Sequence, residues 1–85
     1  MWYATRSAVG TKADEDAAMA YKKSGPFEKK PDAKAALLAM IENQIAGWER
    51  MKLDATNDEN ALAALQDETV DSVTVDGVRY QIYEV

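Results

Sequence analysis

Apolar positions recur at three- and four-residue steps from Pro31 to Leu53. Leu37, Leu38, Ile41, Ile45, Trp48 and Met51 share one side of a helix, and Glu42, Asn43, Glu49 and Arg50 share the other. Pro31 suits the first helical turn, where its missing N–H costs nothing, and Asp32 sets negative charge at the positive end of the helix dipole. Near the C-terminus the period shortens to two. Val73-Thr74-Val75 and the run from Val78 to Tyr83 flank Asp76-Gly77, which predicts a hairpin closed by a two-residue type I′ turn. That turn sets Val75 against Val78, Val73 against Tyr80 and Asp71 against Ile82. Val73, Val75, Val78, Tyr80 and Ile82 then line one side, and Thr74, Arg79, Gln81 and Tyr83 the other.

The rest of the chain is patterned more weakly. Residues Met1 to Val9 read as a strand ending at Gly10, with Met1, Tyr3, Thr5 and Val9 as the preferred core face over Trp2, Ala4, Arg6 and Ala8. Thr11 reads as an N-cap. Asp14, Glu15 and Asp16 would crowd the first turn of a helix and Lys22 and Lys23 the last, with Ser24-Gly25-Pro26 ending it. Its thin apolar face, mostly Ala13, Ala17, Ala20 and Tyr21, predicts close approach to a neighbour. Phe27 is the one large apolar residue of the link that follows and should anchor it over the core. Gly47 lowers helix propensity inside the central helix, either to admit the first helix beside Trp48 or as a notch for a partner. Thr56 and Glu59 have capping-box spacing for a third, short helix running to about Asp67, with Ala61, Leu62 and Leu65 inward. The order β-α-α-α-β-β predicts a two-layer α+β domain, a three-stranded antiparallel sheet with the helices on one face and the central helix laid across the hairpin's valines.

At 85 residues there is room for one domain, which buries roughly two-thirds of its unfolded surface. Cysteine is absent, so no disulfide supplements the small core. Apolar content of 47% beside 29% charged residues is that of a folded domain. No apolar run reaches the length of a membrane span and the N-terminus lacks a secretory pattern, so a cytoplasmic protein is expected.

Enzyme chemistry finds little here. Histidine is also absent, Ser7, Ser24 and Ser72 have no nucleophile context, and neither a dinucleotide fingerprint nor a phosphate loop occurs. The acids cluster at helix starts and in loops rather than as a facing pair, so no enzyme activity and no cofactor is expected. Read as a calcium loop from Asp54, the chain places Thr56, Glu59 and Leu65 where Asp or Asn, Gly and Glu are needed, so no metal site is expected either.

Charge is the remaining clue. Between Asp54 and Asp76 the chain carries Asp54, Asp58, Glu59, Asp67, Glu68, Asp71 and Asp76 and no lysine or arginine, whereas Lys22, Lys23, Lys29, Lys30 and Lys34 dominate the stretch from 22 to 34. With a net charge of −5, direct nucleic-acid binding is disfavoured. Solvated helix ends account for such clusters in many proteins; the sharper reading is a contact surface for a basic groove, since a one-signed field speeds encounter and imitates nucleic acid. The expected function is a non-enzymatic, acidic protein-binding module that blocks a basic nucleic-acid-binding site on a larger protein. The candidate contacts are Asp58, Glu59, Asp67, Glu68 and Asp71, with Arg79 and Tyr83 on the outer sheet face. Compact, cysteine-free acidic chains of this kind resemble small phage or mobile-element products, including anti-CRISPR and other host-takeover inhibitors, and the resemblance implies a viral inhibitor. The alternative is a structural or assembly protein, a homodimer joined through the hairpin edge or through the face carrying Arg79 and Tyr83.

Overall fold

The computed structural model describes residues 1–8 and 22–85. The described elements are strand β1 (Trp2–Ala8), strand β2 (Lys22–Phe27), helix α1 (Lys30–Arg50), helix α2 (Thr56–Leu65), strand β3 (Ser72–Val75) and strand β4 (Val78–Glu84). They form an α+β domain, with a four-stranded antiparallel sheet of order β2-β1-β4-β3. Helix α1 packs on β1, β2 and β4, and α2 packs on α1 and β3.

The hairpin follows the register that its turn demands. Val75 pairs with Val78, Val73 with Tyr80, and the backbone N–H of Ile82 donates to the Asp71 carbonyl at 2.9 Å. Asp76 and Gly77 both have positive φ, 49° and 77°, as a type I′ turn requires. Tyr80 and Ile82 are buried, and Val73, Val75 and Val78 pack against the same core. Helix α1 starts one residue before the proline: Lys29 is the N-cap, Pro31 lies in the first turn, and Asp32 adds its charge there. Ala33, Leu37 and Ile41 are its fully buried positions, one turn apart, with Leu38 and Ile45 beside them.

Several expectations need correction. The sheet has four strands rather than three because residues 22–27 form β2. Lys22 and Lys23 therefore lie in a strand and not in the last turn of a helix, while the expected cap at Thr11 and first turn at Asp14, Glu15 and Asp16 lie outside the described residues. Pairing with β1 makes this segment a strand; its own apolar pattern is almost empty. Gly25 is required there. Its φ is +127°, and a Cβ would come within 2.9 Å of both the Trp2 carbonyl oxygen and Tyr3 Cδ1, where the β1–β2 register shifts. Phe27 packs against the core as expected, but from the end of β2, opposite Trp2.

In β1 the inward face is the one with Arg6 in it, not the expected face of Met1, Tyr3 and Thr5. Ala4 is completely buried in the core, Trp2 packs beside it and Arg6 is buried, whereas Tyr3 stacks on Tyr83 on the outer face. Helix α1 packs on β1, and Ala4 shares one buried cluster with Ala33, Leu37 and Ile41 of that helix. Thr5 is nonetheless 3% exposed, its hydroxyl buried with no hydrogen-bond partner among the described residues. The valines of β3 are covered by α2 more than by the central helix. Met51, counted on the buried side of α1, lies past the helix end and is 59% exposed. The capping box does not form. Ala55 is the N-cap of α2, and Asp54 instead accepts from the Thr56 N–H at 2.9 Å and from the Thr56 hydroxyl. The helix ends at Leu65, short of Asp67. Among the described residues nothing lies within 4 Å of a Cβ placed on Gly47; the first helix that it was expected to admit lies outside them.

Candidate functional site

The stretch without lysine or arginine contains α2, its flanking loops, β3 and the hairpin turn. The structure distributes its seven acids by burial, and the division is sharp. Asp58 is 4% exposed. It sits on α2 at helical spacing from Ala61 and Leu65, the other two buried positions of that helix, so the fold turns it inward with them. Its carboxylate accepts a hydrogen bond from Trp48 Nε1 at 2.6 Å and another from the Tyr80 hydroxyl, and Arg6 Nε lies 3.9 Å from Oδ1. The Arg6 guanidinium is also 5.6 Å from the centre of the Tyr80 ring. Burial, reinforced by the hydrogen bond to Asp58, pushes the Tyr80 phenol up to about 12. One carboxylate thus joins α1, α2, β1 and β4. Asp58, expected among the surface contacts, is instead part of the interior.

Asp71 is also engaged. Its Oδ2 lies 2.7 Å from Lys30 Nζ, and that ammonium is 5.5 Å from the centre of the Trp2 ring. Lys34 Nζ donates to the Asp67 carbonyl at 3.3 Å and to the Val70 carbonyl, holding the loop after α2 against α1. The basic and acidic stretches therefore meet inside one molecule. A groove of about 490 Å³ runs between them, floored by Leu38 and Ile82 and rimmed by Lys30, Lys34, Glu68 and Asp71.

The remaining acids face solvent. Glu59 and Glu68 are exposed, and their side chains form no ion pair or hydrogen bond among the described residues. Asp67 accepts from the Thr69 N–H at 2.9 Å and from its hydroxyl at 2.8 Å, and these bonds, with the Lys34 charge adding less, hold its carboxyl below the usual value. Asp54 is held low in the same way, first by the Thr56 hydroxyl and then by its N–H. A depressed carboxyl contributes stability above its ordinary titration range and loses it as pH falls through the lowered value, so both sites keep their charge into mild acid. Asn57 Nδ2 donates to Asp76 Oδ2 at 3.1 Å, tying the hairpin turn to the first turn of α2.

Arg79 and Tyr83 lie on the outer sheet face, away from these acids. Tyr83 stacks on Tyr3 with ring centres 5.7 Å apart, and Lys23 Nζ lies 4.1 Å from the centre of the Tyr3 ring. The seven candidate residues are thus not one site. Glu59, Asp67 and Glu68 are presented by α2 and the loop after it, Asp71 is paired, Asp58 is interior, and Arg79 and Tyr83 occupy another face. The spacing of Asp58 to Ala61 and Leu65 was a signal of its burial; its partners Arg6, Trp48 and Tyr80, scattered along the chain, were not readable as a group.

Among the described residues no three acidic side chains are grouped to hold a metal ion, and no helix is long and apolar enough to cross a membrane. Comparison with protein-family models, with curated proteins and with solved structures yields no match.

Proposed function

We propose that this chain is a non-enzymatic protein-binding module that docks through its acidic side on a basic surface of a larger protein, one that otherwise takes nucleic acid. The observation that carries this reading is the pair Glu59 and Glu68: exposed, without a counter-charge among the described residues, and borne by a segment with no lysine or arginine. Lys30 and Lys34, which line the same groove as Glu68, are turned to Asp71 and to backbone carbonyls. Asp54 and Asp67, also exposed, extend the same negative field, which speeds association with a positive surface and is screened by salt.

The test compares capture by the wild-type chain with capture by the double variant Glu59→Lys/Glu68→Lys. Neither side chain holds the fold together. A protein retained at low salt by the wild type, released by single-stranded DNA and lost with the variant supports the reading. Equal capture by both chains, or capture insensitive to salt and to DNA, overturns it.

A homodimer is the second reading, favoured by the outer sheet face, where the stacked Tyr3 and Tyr83 and the exposed Arg79 share one surface. Sedimentation over a concentration series separates the two. A dimer that survives dilution favours assembly, and a monomer favours docking.

A further inference from the structure

We infer that the open edge of β3 is the rail on which the partner docks, and that it takes an extended, basic segment by strand addition. The inference rests on the docking reading above and adds the mode of recognition. Among the described residues, strand β3 is the last strand of the sheet and pairs only with β4. The two-residue turn makes Val75 and Val78 a hydrogen-bonded pair, and antiparallel strands alternate bonded with non-bonded pairs. Val73–Tyr80 is then also bonded, and so is Asp71–Ile82, as the 2.9 Å bond from the Ile82 N–H to the Asp71 carbonyl requires. Ser72 and Thr74 are therefore the non-bonded positions. Their N–H and C=O groups point away from β4, both residues are exposed, and neither makes a further hydrogen bond among the described residues.

An unpaired edge of this kind is a template for another strand. Its flanks decide which one. Asp71 precedes it, bridged to Lys30, and Asp76 follows it, bonded to Asn57, while the exposed Glu59 and Glu68, without a counter-charge among the described residues, stand in the same stretch without lysine or arginine. A second copy of β3 would bring those carboxylates together with their counterparts across a short ladder, and like charges that close oppose pairing. The opposite edge, β2, carries Lys22 and Lys23, but Pro26 has no N–H to offer and Gly25 sits where the register shifts. An extended segment with lysine or arginine at alternate positions fits β3 better than either edge of another copy. Its backbone would bond Ser72 and Thr74, and its cations would meet the field of the exposed Glu59 and Glu68.

The test uses capped peptides of alternating lysine and valine, and twins in which alternate amide nitrogens are methylated. The twins keep the charge and lose the ladder donors. Binding is followed by amide NMR shifts and hydrogen exchange on the whole chain. Expected are shifts centred on Ser72 and Thr74, at least about tenfold slower exchange at the Thr74 N–H, and at least about tenfold weaker binding of the methylated twin. Thr74→Pro, which removes an outward N–H and no bond to β4, should weaken the parent peptide similarly, and Thr74→Val should not. Equal binding of parent and twin, with both weakened by Glu59→Lys/Glu68→Lys, overturns strand addition and leaves acidic docking standing. Edge binding unchanged by the double reversal overturns acidic docking and leaves the edge. Absence of peptide binding at low salt overturns the inference, and so does Thr74 protection that rises with protein concentration alone, which would assign the edge to a second copy.

Discussion

Asp58 and Glu59 are consecutive residues on α2, and they belong to different parts of the protein. Asp58 is enclosed by Arg6, Trp48 and Tyr80, drawn from three other elements. Glu59 faces water with no partner among the described residues. Both count equally in net charge. Only one is available to attract anything, because a buried carboxylate neutralised by an arginine and two hydrogen bonds has little field left at the surface. The contrast shows that a run of like charges is a weak guide to a binding face until burial has sorted it: of the acids in this stretch, those that hold the domain together are not those that can hold a partner.

The sharpest way to break the comparison is Asp58→Ala. It removes a carboxylate from beside the buried Arg6 and leaves the Tyr80 hydroxyl and Trp48 N–H without this acceptor, so stability should fall by about 3–5 kcal/mol, read from the urea midpoint. A loss below about 1 kcal/mol would mean that the seam is not structural.

A smaller effect of the same seam appears at high pH. The Tyr80 phenol titrates near 12 in the folded chain against about 10 unfolded, so the folded state keeps its proton longer. The contribution is fully present below pH 10 and is lost as pH rises through 12, about 2–3 kcal/mol in total. Tyr80→Phe should remove this alkaline limb, and equal pH profiles for the two chains would contradict it.

Gly47→Ala should act in the opposite direction. With nothing within 4 Å of the added Cβ among the described residues, helix propensity alone applies, and thermal unfolding should show stabilisation of up to about 1 kcal/mol. Destabilisation would reveal a close neighbour beside Trp48. Smallest is Glu59→Lys, expected to change stability by no more than about 0.5 kcal/mol in the same measurement while weakening partner association. A large stability loss would erase the distinction between the two neighbours.

What local pattern could determine, it determined well. The helical stripe with Pro31 and Asp32 at its start, the Asp76-Gly77 turn and the valine face of the hairpin are written in adjacent residues, where spacing and turn chemistry act directly. Strand β2 was not legible, because Lys22 to Phe27 becomes a strand through its ladder with β1 and carries almost no apolar period of its own. Neither was the inward face of β1. The charge of Arg6 spoke against the face of Ala4, but Ala4 joins residues of α1 in the buried cluster, and the arginine beside it is met by Asp58. The acidic stretch is likewise plain in the sequence, and which of its members remain at the surface is not. That depends on contacts between residues far apart in the chain, so only the assembled layers could decide it.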